Sequence, residues 1–106
     1  MSPAPTLFPI AGELTIYRAA ELAPALKAAL ADVVAGADLE IDLAQVTEMD
    51  SAGAQLLMSA RKTARASHRD VRLVGHSRAV MEVFETLQLA AQFGDPLPAP
   101  LSVATR

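Results

Sequence analysis

Asp38-Leu39-Glu40-Ile41-Asp42-Leu43, followed closely by Val46-Thr47-Glu48-Met49-Asp50-Ser51-Ala52-Gly53, is the stretch that decides the fold. Its first six residues alternate charged and apolar, the period-two pattern of a half-buried strand with Leu39, Ile41 and Leu43 on one face. From about Ala52 to Ser67 the chain is rich in Ala and Leu, and Leu56, Leu57, Ala60 and Ala64 recur at helical spacing. Asp50 and Ser51 therefore stand at a strand-to-helix turn. A Ser hydroxyl at a helix start is a cap worth about 1 kcal/mol. The Asp50 carboxylate serves that purpose equally well. A helix N-terminus is also a place where a phosphate is tolerated. Gly53 in the first helical turn costs up to about 1 kcal/mol against Ala, and close approach by another chain is one reason to accept that cost.

Working outward, residues 7–10 predict a short edge strand, because Pro9 cannot donate to a ladder. Ala11-Gly12 reads as a turn, and Glu13-Leu14-Thr15-Ile16-Tyr17 as a second strand pairing with the first in a hairpin. A helix is expected over about 20–35, with Leu22, Leu26, Ala29, Leu30 and Val33 on one stripe. Its start near Ala20 or Glu21 keeps Pro24 in the first turn, where a missing N–H is harmless. Gly36 is its stop. On the far side, Val71-Arg72-Leu73-Val74 predicts a strand, and Ser77 caps a helix carrying Val80, Val83, Phe84 and Leu87. Residues 90–95 extend to a last short strand or a tail. Pro96, Pro98 and Pro100 then exclude regular structure.

The resulting order, β-β-α-β-α-β-α, implies an α/β fold with a mostly parallel sheet joined by crossover helices. The strands alternate instead of running apolar throughout, so the helices are expected on one face only, leaving the other polar. The expected organisation is a loose N-terminus over 1–6, one domain over 7–95, and a Pro-rich flexible tail over 96–106.

Composition removes several function classes. Among 106 residues aromatics are only 4% and there is no Trp, so the stacking platforms of single-strand nucleic-acid binders are missing. The net charge of −3 also points away from nucleic acid. Without Cys there are neither disulfides nor thiolate metal sites, and His68 and His76 lack metal-ligand spacing, so no metal and no cofactor is expected. No run approaches the length of a membrane span, and the N-terminus lacks the charged and apolar regions of a signal peptide, which sets a cytoplasmic location as the expectation. Catalysis by Ser51 is disfavoured. His68 lies about 22 Å along the second helix, His76 has no orienting acid, and the sequence is not a G-x-S-x-G elbow. Asp50-Ser51-Ala52-Gly53 has one Gly and no Lys, so it is not a P-loop. Arg61, Lys62, Arg65 and Arg69 read as a solvated helix end favoured by the dipole.

The run from Leu39 to Leu43, then Val46 to Gly53, then Leu56-Leu57, resembles the core of a STAS domain, the fold of bacterial anti-sigma factor antagonists and of sulphate-transporter tails. Gly12-Glu13-Leu14-Thr15-Ile16 resembles its second strand, and Val71 to Gly75 with Val80 to Leu89 its last strand and helix. The resemblance implies a STAS fold with a mixed, mostly parallel sheet of four to five strands and helices on one face. It implies no enzyme activity, phosphorylation of Ser51 by a histidine-kinase-like serine kinase, and a partner-binding set of Asp42, Asp50, Ser51, Ala52 and Gly53. The implied function is that of a partner-switching regulator of signal transduction and transcription, binding an anti-sigma factor or serine kinase only while Ser51 is unmodified. Two alternatives share the fold: a STAS subunit regulating the ATPase subunit of a phospholipid-transport ABC system, and a STAS protein coupled to a chemotaxis or two-component system. A homodimer through the exposed sheet or first helix is compatible with the pattern.

Overall fold

Why does one strand dominate the architecture? The long strand β2 (Asp38–Met49) pairs on both sides, while β1 (Thr6–Leu14) and β3 (Asp70–Val74) flank it in the order β1-β2-β3. Both pairings are parallel. This computed structural model describes residues 6–34 and 36–87. Helix α1 (Ile16–Asp32) crosses from β1 to β2, α2 (Ser51–Ala66) from β2 to β3, and α3 (Arg78–Leu87) follows β3. Among the described residues the sheet thus has three strands, all parallel, rather than a mixed sheet of four to five. The expected element at 90–95, the tail at 96–106 and most of the N-terminal segment lie outside the described residues. Thr6, expected to be loose, begins β1.

The alternation in β2 sorts residues as expected. Leu39, Ile41 and Leu43 are fully buried, and Asp38, Glu40 and Asp42 are half-exposed on the opposite face. Leu22, Leu26 and Leu30 of α1, Leu57, Ala60 and Ala64 of α2, and Val80 and Phe84 of α3 join those leucines, Ile10, Val71 and Leu73 in a single apolar cluster. All three helices consequently cover one face of the sheet. On the other face Glu40 and Arg72 stand opposite each other in the ladder and form an ion pair at 3.5 Å.

Three expectations at the N-terminal end are corrected. The hairpin does not form. Thr6 to Leu14 is one strand, with register shifts between Pro9 and Ala11 and between Gly12 and Glu13. Gly12 takes φ +83°, so it absorbs a bulge instead of making a reversal. The Arg18 guanidinium straddles the bulge, donating to the Ala11 and Glu13 carbonyls. Next, Ile16 and Tyr17 open α1 instead of ending a strand, with the Thr15 carbonyl accepting from the Arg18 and Ala19 amides. Pro24 therefore lies inside the helix, not in its first turn. It sits on the solvent face, as does Ala20, whose carbonyl loses an amide partner to the proline.

The C-terminal half follows the pattern closely. The Ser77 hydroxyl accepts from the Val80 amide at 3.3 Å and caps α3. The basic end of α2 is more engaged than a solvated helix end. Arg61 and Arg65 both reach Asp70 (3.2 and 3.4 Å), and Arg69 donates to the Val33 carbonyl at 2.6 Å.

The parallel register leaves one asymmetry. β3 pairs with β2 only as far as Asp42, whereas β1 accompanies β2 to Met49. The end of the sheet that leads into Asp50 and Ser51 is a two-stranded ribbon among the described residues.

Candidate functional site

Asp50 is the N-cap of α2. It has extended backbone (φ −127°, ψ −176°), and its Oδ1 accepts from the Gly53 amide at 3.0 Å. Its Oδ2 accepts from the Ile16 amide at 3.1 Å, so the same carboxylate also holds the start of α1. The Gly53 amide, then the Ile16 amide, hold the Asp50 carboxyl below its usual value of 3.8. Of the two capping residues the sequence offered, Asp50 makes the cap. Ser51 is the first residue of α2 and is exposed.

Gly53 is buried, and the neighbour that demands glycine belongs to the same chain. A Cβ there would sit 2.0 Å from the Leu14 carbonyl oxygen and 2.9 Å from Leu14 Cγ. The approach of β1 thus accounts for the residue, in place of the approach by another chain that the sequence reading gave as one reason for it. Ala52 is half-buried beside it.

Asp42 stands apart from this turn. Its Oδ1 accepts from the Ala44 amide at 3.0 Å, and a Cβ on Gly75 would lie 2.6 Å from that oxygen. Gly75 takes φ +65° just after β3, so Asp42 marks where β3 leaves the sheet. No hydrogen bond or ion pair joins Asp42 to Asp50 or Ser51 among the described residues. Of the five residues the resemblance assigns to partner binding, Asp50, Ser51, Ala52 and Gly53 are contiguous, and Asp42 is not brought against them.

Two apolar side chains escaped the sequence reading. Ile16 is 64% exposed and Tyr17 88% exposed, in the first turn of α1, beside the Asp50 carboxylate. Reading them as strand residues concealed their exposure. On the other side, Ser51 shares an open hollow of about 250 Å³ with Glu82, Val83, Thr86 and Leu87 of α3.

His76 packs edge-on against Phe84, with ring centroids 5.4 Å apart at 84°. His68, at the far end of α2, is exposed and takes φ +59°. Among the described residues no three His, Cys, Asp or Glu side chains gather to hold a metal ion. No helix there is long and apolar enough to cross a membrane.

The chain matches, over residues 1–97, the family model described as Mlab, STAS domain. Two solved structures share its fold. The STAS domain of a SulP transporter from Vibrio cholerae is 18% identical, with a TM-score of 0.65, the match covering 85% of this chain and 68% of that one. A sulfate transporter family protein from Wolinella succinogenes is 15% identical, with a TM-score of 0.67, covering 85% and 71%. The search of curated proteins found no match.

Proposed function

This chain belongs to the STAS domain family, and we propose that it is a partner-switching regulator of the anti-sigma factor antagonist type. It binds a protein partner, an anti-sigma factor or serine kinase, through the turn before α2, and phosphorylation of Ser51 ends that binding. It acts by docking and catalyses no reaction of its own.

The observation that carries this reading is the division of labour between Asp50 and Ser51. Asp50 supplies the cap and the tie to α1, so the exposed Ser51 hydroxyl is spare. A phosphate placed on it brings a charge of about −1.5 to −2 at pH 7. The start of α2 accommodates that charge without losing its cap. A partner that must bury the same position does not, because desolvating a phosphate beside the ionised Asp50 is costly. Ile16 and Tyr17 supply the apolar contact that an interface needs, and Tyr is a frequent anchor residue.

A second reading is a STAS subunit that docks on the ATPase of a phospholipid-transport ABC system and regulates it. The family model that matches residues 1–97, described as Mlab, STAS domain, is the finding that favours it.

Affinity capture with wild type, Ser51→Ala and Ser51→Asp tests the switch. One protein is expected with wild type and Ser51→Ala and lost with Ser51→Asp. Identical captures from all three refute phosphorylation control. The identity of the lost protein, anti-sigma factor or transport ATPase, separates the two readings.

A further inference from the structure

We propose that Glu82 senses the phosphorylation state of Ser51 and passes it to the last turn of α3; this rests on the reading of Ser51 as the phospho-acceptor. Ser51 and Glu82 line the same hollow, whose apolar walls are Val83 and Leu87. Among the described residues no lysine or arginine lines it. The Thr86 hydroxyl is committed to the Glu82 carbonyl at 2.9 Å. Glu82 is exposed and forms no ion pair among the described residues, so its carboxylate has no evident structural task.

A phosphate on Ser51 enters this hollow between opposing influences. The start of α2 attracts it, with the Gly53 and Ile16 amides already taken by Asp50. Among the described residues the charged groups that face it are Asp50 on its own turn and Glu82 across the hollow on α3. Asp50 is fixed by its two amide donors. Glu82 belongs to a ten-residue helix whose buried side chains are Val80, Met81 and Phe84. Among the described residues, the stretch beyond Phe84, with Glu85, Thr86 and Leu87 all exposed, is the part of α3 with least to hold it. Repulsion between the phosphate and Glu82 is therefore relieved by loosening that last turn, which changes the surface next to Ser51 as well as its charge.

The test needs neither kinase nor partner. The full chain is made with phosphoserine inserted at position 51 during translation, as wild type and as Glu82→Gln. The second ionisation of the phosphate is followed by phosphorus NMR across pH, and amide exchange is read at Thr86 and Leu87. With Glu82 present, the ionisation is expected at higher pH than in Glu82→Gln, because a nearby carboxylate opposes the dianion. Exchange at Thr86 and Leu87 is expected to be faster in the phosphorylated than in the unmodified protein, and to return toward the unmodified rate in phosphorylated Glu82→Gln. An ionisation that does not respond to Glu82→Gln overturns sensing by Glu82. Unchanged exchange in α3 overturns transmission. Either failure leaves the binding switch itself to be judged by the capture experiment.

Discussion

The Asp50 carboxylate holds the Ile16 amide at 3.1 Å across a separation of 34 residues, while its other oxygen caps α2 through the Gly53 amide. One side chain therefore fixes the starts of two helices against each other. Ser51, its immediate neighbour, is left outside this arrangement. The expected outcome is an ordering of variants by thermal melting. Ser51→Ala stays within about 0.5 kcal/mol of wild type, as exposed substitutions do. Asp50→Ala melts clearly lower than Ser51→Ala, because both helix starts lose an acceptor. Equal melting of the two variants would overturn the assignment of the cap to Asp50.

Gly53→Ala reverses the sign that helix propensity alone predicts. Alanine in a helix interior is favoured over glycine by about 1 kcal/mol. Here the added Cβ meets the Leu14 carbonyl oxygen at 2.0 Å, and backbone on both sides must move. A loss of about 2–3 kcal/mol is expected, in the range of overpacking, measured by urea unfolding. A stabilised Gly53→Ala protein would show that β1 and α2 are not in this contact.

Acid should weaken the fold through Asp50 and Asp70. Asp50 is lowered by the Gly53 and Ile16 amides. For Asp70 burial acts upward, and the Val71 amide with Arg65 and Arg61 outweighs it, leaving the carboxyl below 3.8. A carboxylate whose folded-state value is depressed contributes stability that is present above its unfolded value. That stability is lost as pH falls through the folded value. Melting temperature is thus expected to be flat in these two groups above about pH 5 and to fall below about pH 4. Asp50→Asn and Asp70→Asn should each show a shallower acid decline than wild type.

Pro24→Ala is expected to stabilise the protein. An interior helix proline costs about 3 kcal/mol, and its rigidity in the unfolded chain returns up to about 1 kcal/mol. A net gain of about 2 kcal/mol should appear in chemical unfolding, since Pro24 is exposed and carries no core contact that alanine would lose. No gain would mean that α1 is bent at this position.

Much of this was legible in local pattern. The alternation of Leu39, Ile41 and Leu43, the burial of Val80 and Phe84 on α3 and the Ser77 cap each depend on residues within a few positions of one another, and each came out as read, whereas Leu87 of the same stripe is exposed. The failures share a different cause. Whether Asp50 or Ser51 caps α2 turns on a shift of one residue, and both types cap well. Gly12 signals a turn or a bulge equally, and the ladder with β2 decides for the bulge. Reading Ile16 and Tyr17 as strand followed from that choice. Gly53 answers to Leu14 and Asp50 to Ile16, and both are contacts between β1 or α1 and a turn far along the chain, which no window of sequence contains.

The overhang of β2 beyond β3 has a mechanical consequence. From Leu39 to Asp42 the strand is clamped by neighbours on both edges, and from Gln45 to Met49, among the described residues, the ladder holds it from β1 alone. The Asp50 turn rides at the tip of this cantilever. Its anchorage comes from the Asp50–Leu14 and Asp50–Ile16 hydrogen bonds and the pressing of Gly53 onto Leu14, all of them toward β1 and α1. A load applied at Ser51 is then borne by the N-terminal third of the chain. β3, which stops short, is spared it.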